Sequence, residues 1–288
     1  MKTYNKADLH LHTTASDGSD SARELIGRAR ELGLDVISVT DHDTIKGLTE
    51  ALELPDCGVK IITGIEFSCI TAGEGGFKCH VLGYGFDPDN EDIKRAIAHG
   101  RQMRLYKLGV RLEYLKETYG ITFTDSDLEW LHSLNSVARP HLGQLLIRHG
   151  YVSDMAEAFD RYLKMGSFPD DRIAAAEAIS AIRAAGGVAV YAHPIGGERE
   201  KRLDREEVSR RIEALRELGL GGLECYYSRY SEDDEAMLTE LADKYGLLVS
   251  GGSDYHGENK TVKLGVLRED AHPIGADALT VLDALCDR

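Results

Sequence analysis

Short apolar runs rich in β-branched residues alternate along this chain with amphipathic helical patterns, and few folds accommodate that alternation. It is the pattern of βα units feeding a parallel sheet whose two faces are both covered. Strands are expected near Ala7–Leu11, Val36–Thr40, Lys60–Ile65, Cys79–Gly83, Val188–Ala192, Leu223–Tyr226 and Leu247–Ser250, several too continuously apolar to be half exposed. The first helix shows the logic. Ser21-Ala22-Arg23-Glu24 reads as a capping box, Ala22, Leu25, Ile26, Ala29 and Leu32 form one stripe, and Gly33 ends it. Similar helices are expected over Ala174–Ala184, Arg205–Leu218 and Glu232–Lys244, each followed by a glycine.

A chain of 288 residues suits one α/β barrel with an insertion better than two domains. The insertion lies between the fourth and fifth strands and reads as helical, with segments near Asp92–Thr118, Ser126–His132, Pro140–His149 and Asp154–Met165. The expected division is barrel over 1–88, helical insertion over 89–170 and barrel again over 171–288. Loops leaving the C-terminal ends of barrel strands build active sites, so the insertion is expected to roof one.

The end of the first strand reads Asp8-Leu9-His10-Leu11-His12, and strand periodicity puts both imidazoles on one face. Alone, the pair signifies little. Further strand candidates carry Asp41-His42-Asp43, Glu66, His80, His193 and Asp254-Tyr255-His256. Six clustered neutral imidazoles would leave many buried polar groups to satisfy, whereas metal ligation uses them together. With Asp17, in the loop after the first strand, nine candidate ligands result: His10, His12, Asp17, His42, Glu66, His80, His193, Asp254 and His256. That is too many for one tetrahedral ion and enough for two or three if a carboxylate bridges. Imidazole and carboxylate without thiolate suit manganese, zinc or iron. Asp8 and Asp41 are expected to orient ligand histidines, and Asp43 to cap the next helix.

The formal charge of −15 repels a long polyanion such as duplex DNA, so a phosphate substrate drawn to such a cluster should be small. No run approaches the roughly 18 apolar residues of a membrane span, and a cytoplasmic, membrane-free protein is expected. Cys57, Cys69, Cys79, Cys225 and Cys286 are odd in number and scattered, which indicates reduced, structural thiols. Gly73-Glu-Gly-Gly76 reads as a turn, since neither GxGxxG after a strand nor GxxxxGK is present. No GxSxG elbow accompanies Ser250 or Ser253.

Asp8-Leu-His-Leu-His12, Thr40-Asp-His-Asp-Thr44, Gly64-Ile-Glu66, Ala192-His-Pro194 and Ser253-Asp-Tyr-His256 together resemble the motifs of the polymerase and histidinol phosphatase (PHP) family. The resemblance implies a distorted (β/α)7 barrel holding up to three divalent metals. One would sit on His10, His12, Glu66 and Asp254; a second on Glu66, His80 and His193; a third on Asp17, His42 and His256. Glu66, His10, His12 and Asp254 would then carry the chemistry, hydrolysis by water activated on the metals.

Asp17 stands where some histidinol phosphatases of the family have histidine. The insertion and ligand set are more similar to the branch that removes phosphate from AMP or nucleoside 3′,5′-bisphosphates, some members of which trim short RNAs from the 5′ end. Arg101, Arg104, Arg139 and His141 resemble that branch's substrate-contacting segments. A histidinol-phosphate-type phosphatase, a metal-dependent amidohydrolase and a non-catalytic metal-binding barrel are the competing readings.

Overall fold

The computed structural model describes residues 4–55, 58–73, 75–164, 172–197, 201–267 and 272–286. Cys57, Met165, the side chain of Cys286 and the boundary at 170/171 lie outside the described residues. All seven expected strands form. They are β1 (Ala7–Leu11), β2 (Val36–Val39), β3 (Lys60–Ile70), β4 (Lys78–Tyr84), β6 (Val188–Tyr191), β7 (Gly222–Tyr227) and β8 (Leu248–Gly252); a two-residue strand, β5 (Ile173–Ala174), pairs beside β3. Their order is β1-β2-β3-β4-β6-β7-β8.

Backbone hydrogen bonds from Asp254 to His10 (2.9 Å) and from His12 to Tyr255 (3.0 Å) bring the last edge back to β1, so the sheet nearly closes. At this seam a Cβ on Gly252 would lie 2.4 Å from the His10 amide nitrogen, and only glycine lets β8 approach so closely.

The sheet is not parallel throughout, which corrects the sequence expectation. β4 runs antiparallel to both β3 and β6. A parallel crossover needs a dozen or more residues, and only Thr71 to Phe77 separate β3 from β4, closed by the Thr71 amide on the Phe77 carbonyl at 3.0 Å. β3 therefore continues past the expected Ile65 and pairs with β4 as far as Ile70 and Lys78. The reversal puts the start of β4, with His80, at the same barrel end as the C-terminal ends of the other strands.

The same reversal corrects the expected route of the insertion. β4 ends at the far face, where the Asp87 amide meets the Ala185 carbonyl in the turn before β6. The helix that follows, α3 (Glu91–Tyr119), is long enough to bring the chain back. Its buried Ile93 and Ala96 belong to the barrel's core, whereas Leu108 and Leu115 belong to a separate core. That second core is built with α4 (Asp125–Ser133), α5 (Arg139–Arg148) and α6 (Met155–Arg161), chiefly by Leu131, Leu142, Leu145, Leu146 and Ala158. One helix thus serves two cores, and its apolar pattern follows no single stripe.

The covering helices α1 (Ala22–Glu31), α7 (Ala175–Ala184), α8 (Arg205–Glu217) and α9 (Glu232–Tyr245) lie where expected, and the Ser21 capping box is present. The helix expected after Asp43 is α2 (Lys46–Leu52); α10 (Thr280–Cys286) was not expected. Asp43 does not cap α2, whose N-cap is Ile45. Among the described residues no helix is long and apolar enough to cross a membrane.

Candidate metal centre

The nine expected ligands come together at the barrel end where β1, β2, β6 and β8 finish and β4 begins. His10 Nε2 lies 3.4 Å from Glu66 Oε2 and 3.6 Å from Asp254 Oδ1; His12 Nε2 lies 3.3 Å from each of the same two oxygens. Four donors held tetrahedrally at about 2.0–2.1 Å from one ion are themselves about 3.3–3.4 Å apart. The other oxygen of Glu66 faces a different group, for Oε1 is 2.9 Å from His80 Nδ1 and 3.3 Å from His193 Nε2. Around Asp17 Oδ1 stand His256 Nε2 at 3.3 Å, His12 Nδ1 at 3.8 Å and His42 Nε2 at 3.9 Å. The three groups share members, so the cluster is continuous.

Six buried atoms of this cluster have no partner in hydrogen-bonding geometry: His10 Nε2, His12 Nε2, Asp17 Oδ1, His42 Nδ1, Glu66 Oε2 and His256 Nε2. Unmet, each would cost about 1–3 kcal/mol, and together they would rival the whole net stability of a domain. Donor chemistry, spacing and orphaned atoms all fit divalent cations.

The electrostatics agree. Burial would raise Glu66, Asp17 and Asp254, yet surrounding histidines, and Lys260 beside Asp254, hold all three well below the usual carboxylate range. Burial pulls His42 down to about 4 and lowers His80 and His256, leaving them neutral as ligands must be. His10 and His12 go the other way. Burial opposes their charge, but the carboxylates Glu224, Glu66 and Asp254 raise His10, and Asp254 and Glu66 raise His12 to about 9. Without metal, protons supply positive charge where the carboxylates demand it.

Sequence reasoning left Glu224 unassigned, and it proves central. Its Oε1 accepts the Nδ1–H of His10 at 2.8 Å, which turns the Nε2 lone pair toward Glu66 and Asp254; its Oε2 accepts the backbone amide of His193 at 2.6 Å. The available signal was a carboxylate within β7 amid histidine-bearing strand ends. Asp254 Oδ2 accepts from the Tyr227 hydroxyl (2.8 Å) and Lys260 Nζ (2.6 Å), which leaves Oδ1 to the cluster.

Asp8 and Asp41 do not orient imidazoles, contrary to expectation. Asp8 takes the amides of Ser253 and Gly265 and the Ser253 hydroxyl, steadying the segment that carries Asp254. Asp41 takes the Thr13 amide and the hydroxyls of Thr13 and Ser16, steadying the loop that carries Asp17.

Above the cluster is a cavity of about 380 Å³ whose roof is the insertion. Of the four expected substrate residues, Arg104 and Arg139 line it. The Arg104 guanidinium is already engaged by Asp43, Ser68 Oγ and the Val137 carbonyl. Arg101 is exposed on α3 and does not line the cavity, so the structure places it on a solvated face. His141 is buried behind the wall, where Nδ1 accepts the Ala138 amide at 3.0 Å and the ring also bonds the backbone of Ser16. It braces the roof against the β1 loop.

Sequence reasoning missed Lys78, Lys107, Arg111, Arg172 and Lys260, which also line the cavity. Arg104, Lys107 and Arg111 share one face of α3 at helical spacing, a signal that was present. Burial, with Arg172, Arg104 and Arg111 nearby, pushes the Lys107 ammonium down to about 5. All the acidic residues among those lining the cavity, Asp17, Glu66 and Asp254, belong to the floor. A chain of net charge −15 thus turns basic side chains toward its own candidate metal-ligand cluster.

A model of the PHP domain matches residues 8–174. The chain is 33% identical over 264 residues to a 5′-3′ exoribonuclease of Haemophilus influenzae, covering 90% of this chain and 93% of that one. It is 33% identical over 256 residues to a phosphoribosyl 1,2-cyclic phosphate 1,2-diphosphodiesterase of Eggerthella lenta (87% and 94% covered). A 3′,5′-nucleoside bisphosphate phosphatase of Chromobacterium violaceum is 30% identical over 275 residues (93% and 93%). Among solved structures, a candidate metal-dependent phosphoesterase from Bifidobacterium adolescentis superposes with a TM-score of 0.81 at 30% identity, over 99% of this chain and 97% of that one.

Proposed function

The chain belongs to the PHP domain family, and from that premise we propose that it is a metal-dependent phosphoesterase of nucleotides, with the scissile phosphate on the floor of the cavity and a second anionic group under the roof. The observation that carries this reading is the cavity's polarity: orphaned imidazole and carboxylate atoms on the floor, and the arginines Arg111, Arg139 and Arg172 lining the same cavity. Manganese, zinc or iron ions held on the floor supply Lewis acidity to phosphoryl oxygens and bring the pKa of water at the site toward neutrality.

His10, His12, Glu66 and Asp254 would hold one ion; Glu66, His80 and His193 a second; Asp17, His42 and His256 a third. Glu66 is suited to bridging because its two oxygens face different groups. Glu224 keeps His10 in the ligating tautomer and seats the strained backbone of His193 (φ +31°). Arg139, Arg111 and Arg172 attract and orient the second anionic group, and Lys107, neutral in the empty cavity, regains its proton beside it. That group is the other phosphate of a nucleoside 3′,5′-bisphosphate or the next phosphate of a short 5′-phosphorylated oligonucleotide. Met155, Phe159 and Leu163 give the same wall an apolar stretch suited to a base.

The test is phosphate release with Mn²⁺ from adenosine 3′,5′-bisphosphate, AMP, a 5′-phosphorylated dinucleotide and histidinol phosphate, alongside hydrolysis of simple amides. The bisphosphate should have the highest kcat/KM, and histidinol phosphate, whose amine is cationic, should be repelled by the basic roof. Equal turnover of histidinol phosphate would sink the nucleotide reading. Amide hydrolysis without phosphate release would replace it with an amidohydrolase.

A further inference from the structure

Among the described residues, three non-glycine positions have left-handed backbone: His193 (φ +31°), Asp254 (φ +58°) and Asp43 (φ +52°). Such strain persists only where the surroundings over-determine it, and it gathers at functional sites. His193 and Asp254 belong to the ligand set. Asp43 does not, and the proposed reaction gives it no part.

What fixes Asp43 is a ring of contacts from several elements. Its amide donates to the Glu66 carbonyl at 2.9 Å, its Oδ1 accepts the Ser68 amide at 3.0 Å, and its Oδ2 accepts Nε of Arg104 at 2.6 Å. Arg104 closes the ring by donating to Ser68 Oγ at 2.9 Å, and reaches the Val137 carbonyl, before α5, at 3.4 Å. Gly100, one turn before Arg104 on α3, permits the approach, for a Cβ there would lie 3.0 Å from that of Asp43. Asp43 is 2% exposed and Arg104 10%, so solvent screens the pair little. The pair joins the roof to the residue following His42 and to the strand that carries Glu66.

We propose that Asp43 is a positioning residue that locks the roof to the floor: gripped by Arg104, it holds His42 in place, so that the Asp17–His42–His256 group binds its ion tightly only while the roof is seated. The lock rests on the reading that this group takes a divalent ion. It also accounts for Arg104, which lines the cavity yet spends its fork within the protein. Aspartate suits the position because it tolerates left-handed backbone better than most residues and also offers two acceptors.

The test is Mn²⁺ titration of the metal-free full chain by equilibrium dialysis with elemental counting. Asp43→Asn, Arg104→Gln and the double variant are compared with wild type, and His42→Ala marks which ion that group holds. Asparagine tolerates the same backbone and can keep the Ser68 contact, so Asp43→Asn removes the charge and the acceptor for Arg104 Nε, setting an amide N–H against that donor. Each single variant should weaken the ion that His42→Ala abolishes by about 10–100-fold, the range for groups that support metal ligands, with the other ions unchanged. The double variant should lose no more than either single one, and kcat should recover at saturating Mn²⁺.

Wild-type affinity for that ion in Arg104→Gln overturns the lock, and so does equal weakening of every ion. If Asp43→Asn does not fold, Arg104→Gln and Arg104→Lys decide the matter, the lysine retaining charge but not the fork. A wild-type chain with no ion removed by His42→Ala fails the underlying metal reading, and the lock falls with it.

Discussion

The floor of the cavity is made from strand ends and the roof from helix faces, and the two are built with different tolerance. On the floor, hydrogen-bonded strand register places His10, Glu66 and His80, and buried carboxylates such as Glu224 fix ring orientation. On the roof, long flexible cations project from α3, α5 and the segment before β5. A strand end leaves a side chain few alternatives; a helix face leaves an arginine many. The floor should therefore fail sharply when one member is changed, and the roof should fail gradually.

Removing metal should produce the largest effect. Chelation should abolish phosphate release and lower the unfolding temperature, because the orphaned atoms of the floor lose their cations. Activity that survives exhaustive chelation would dissolve the distinction between floor and roof. Glu66→Gln comes next, and should cost at least about 10²–10³-fold in kcat at saturating metal, since one side chain serves two ligand groups.

Glu224→Gln sharpens the comparison from within the floor. The amide keeps the shape of the carboxylate but not its charge, so metal affinity should fall about 10–100-fold, with activity recovering as Mn²⁺ is raised. Metal titration of this variant checks it, and unchanged affinity would make Glu224 merely a packing residue.

On the roof, Arg139→Ala should cost roughly 1.5–3 kcal/mol, or about one to two decades in kcat/KM, for a nucleotide bisphosphate. It should change p-nitrophenyl phosphate turnover far less and leave metal content untouched. Equal losses on both substrates would move Arg139 from substrate choice to the reacting phosphate or the fold. The smallest effect belongs to Arg101→Ala, whose side chain is exposed outside the cavity; kcat/KM should stay within about twofold of wild type.

These expectations track what was legible beforehand. The strand positions, the covering helices and the nine converging side chains could be read because period-two alternation and strand-end placement restrict where a residue points. The roof could not be read in the same way. Arg101 and Arg104 are one turn apart on α3, yet one is solvated and the other is locked onto Asp43. Which face turns inward depends on a helix that packs first against the barrel and then against its own subdomain.

The sequence by itself determined the alternating architecture, the interrupting helical segment and the chemical character of the site, because local periodicity and residue type specify these directly. Only the tertiary structure decided that β4 runs backwards, which brings His80 to the site and sends the insertion out from the opposite face. Only it could decide that Glu224 rather than Asp8 or Asp41 steers an imidazole, and that Lys78, Lys107, Arg111, Arg172 and Lys260 line one cavity. The reason is physical: strand direction and side-chain partnership depend on contacts between residues far apart in the chain, which one-dimensional spacing does not encode.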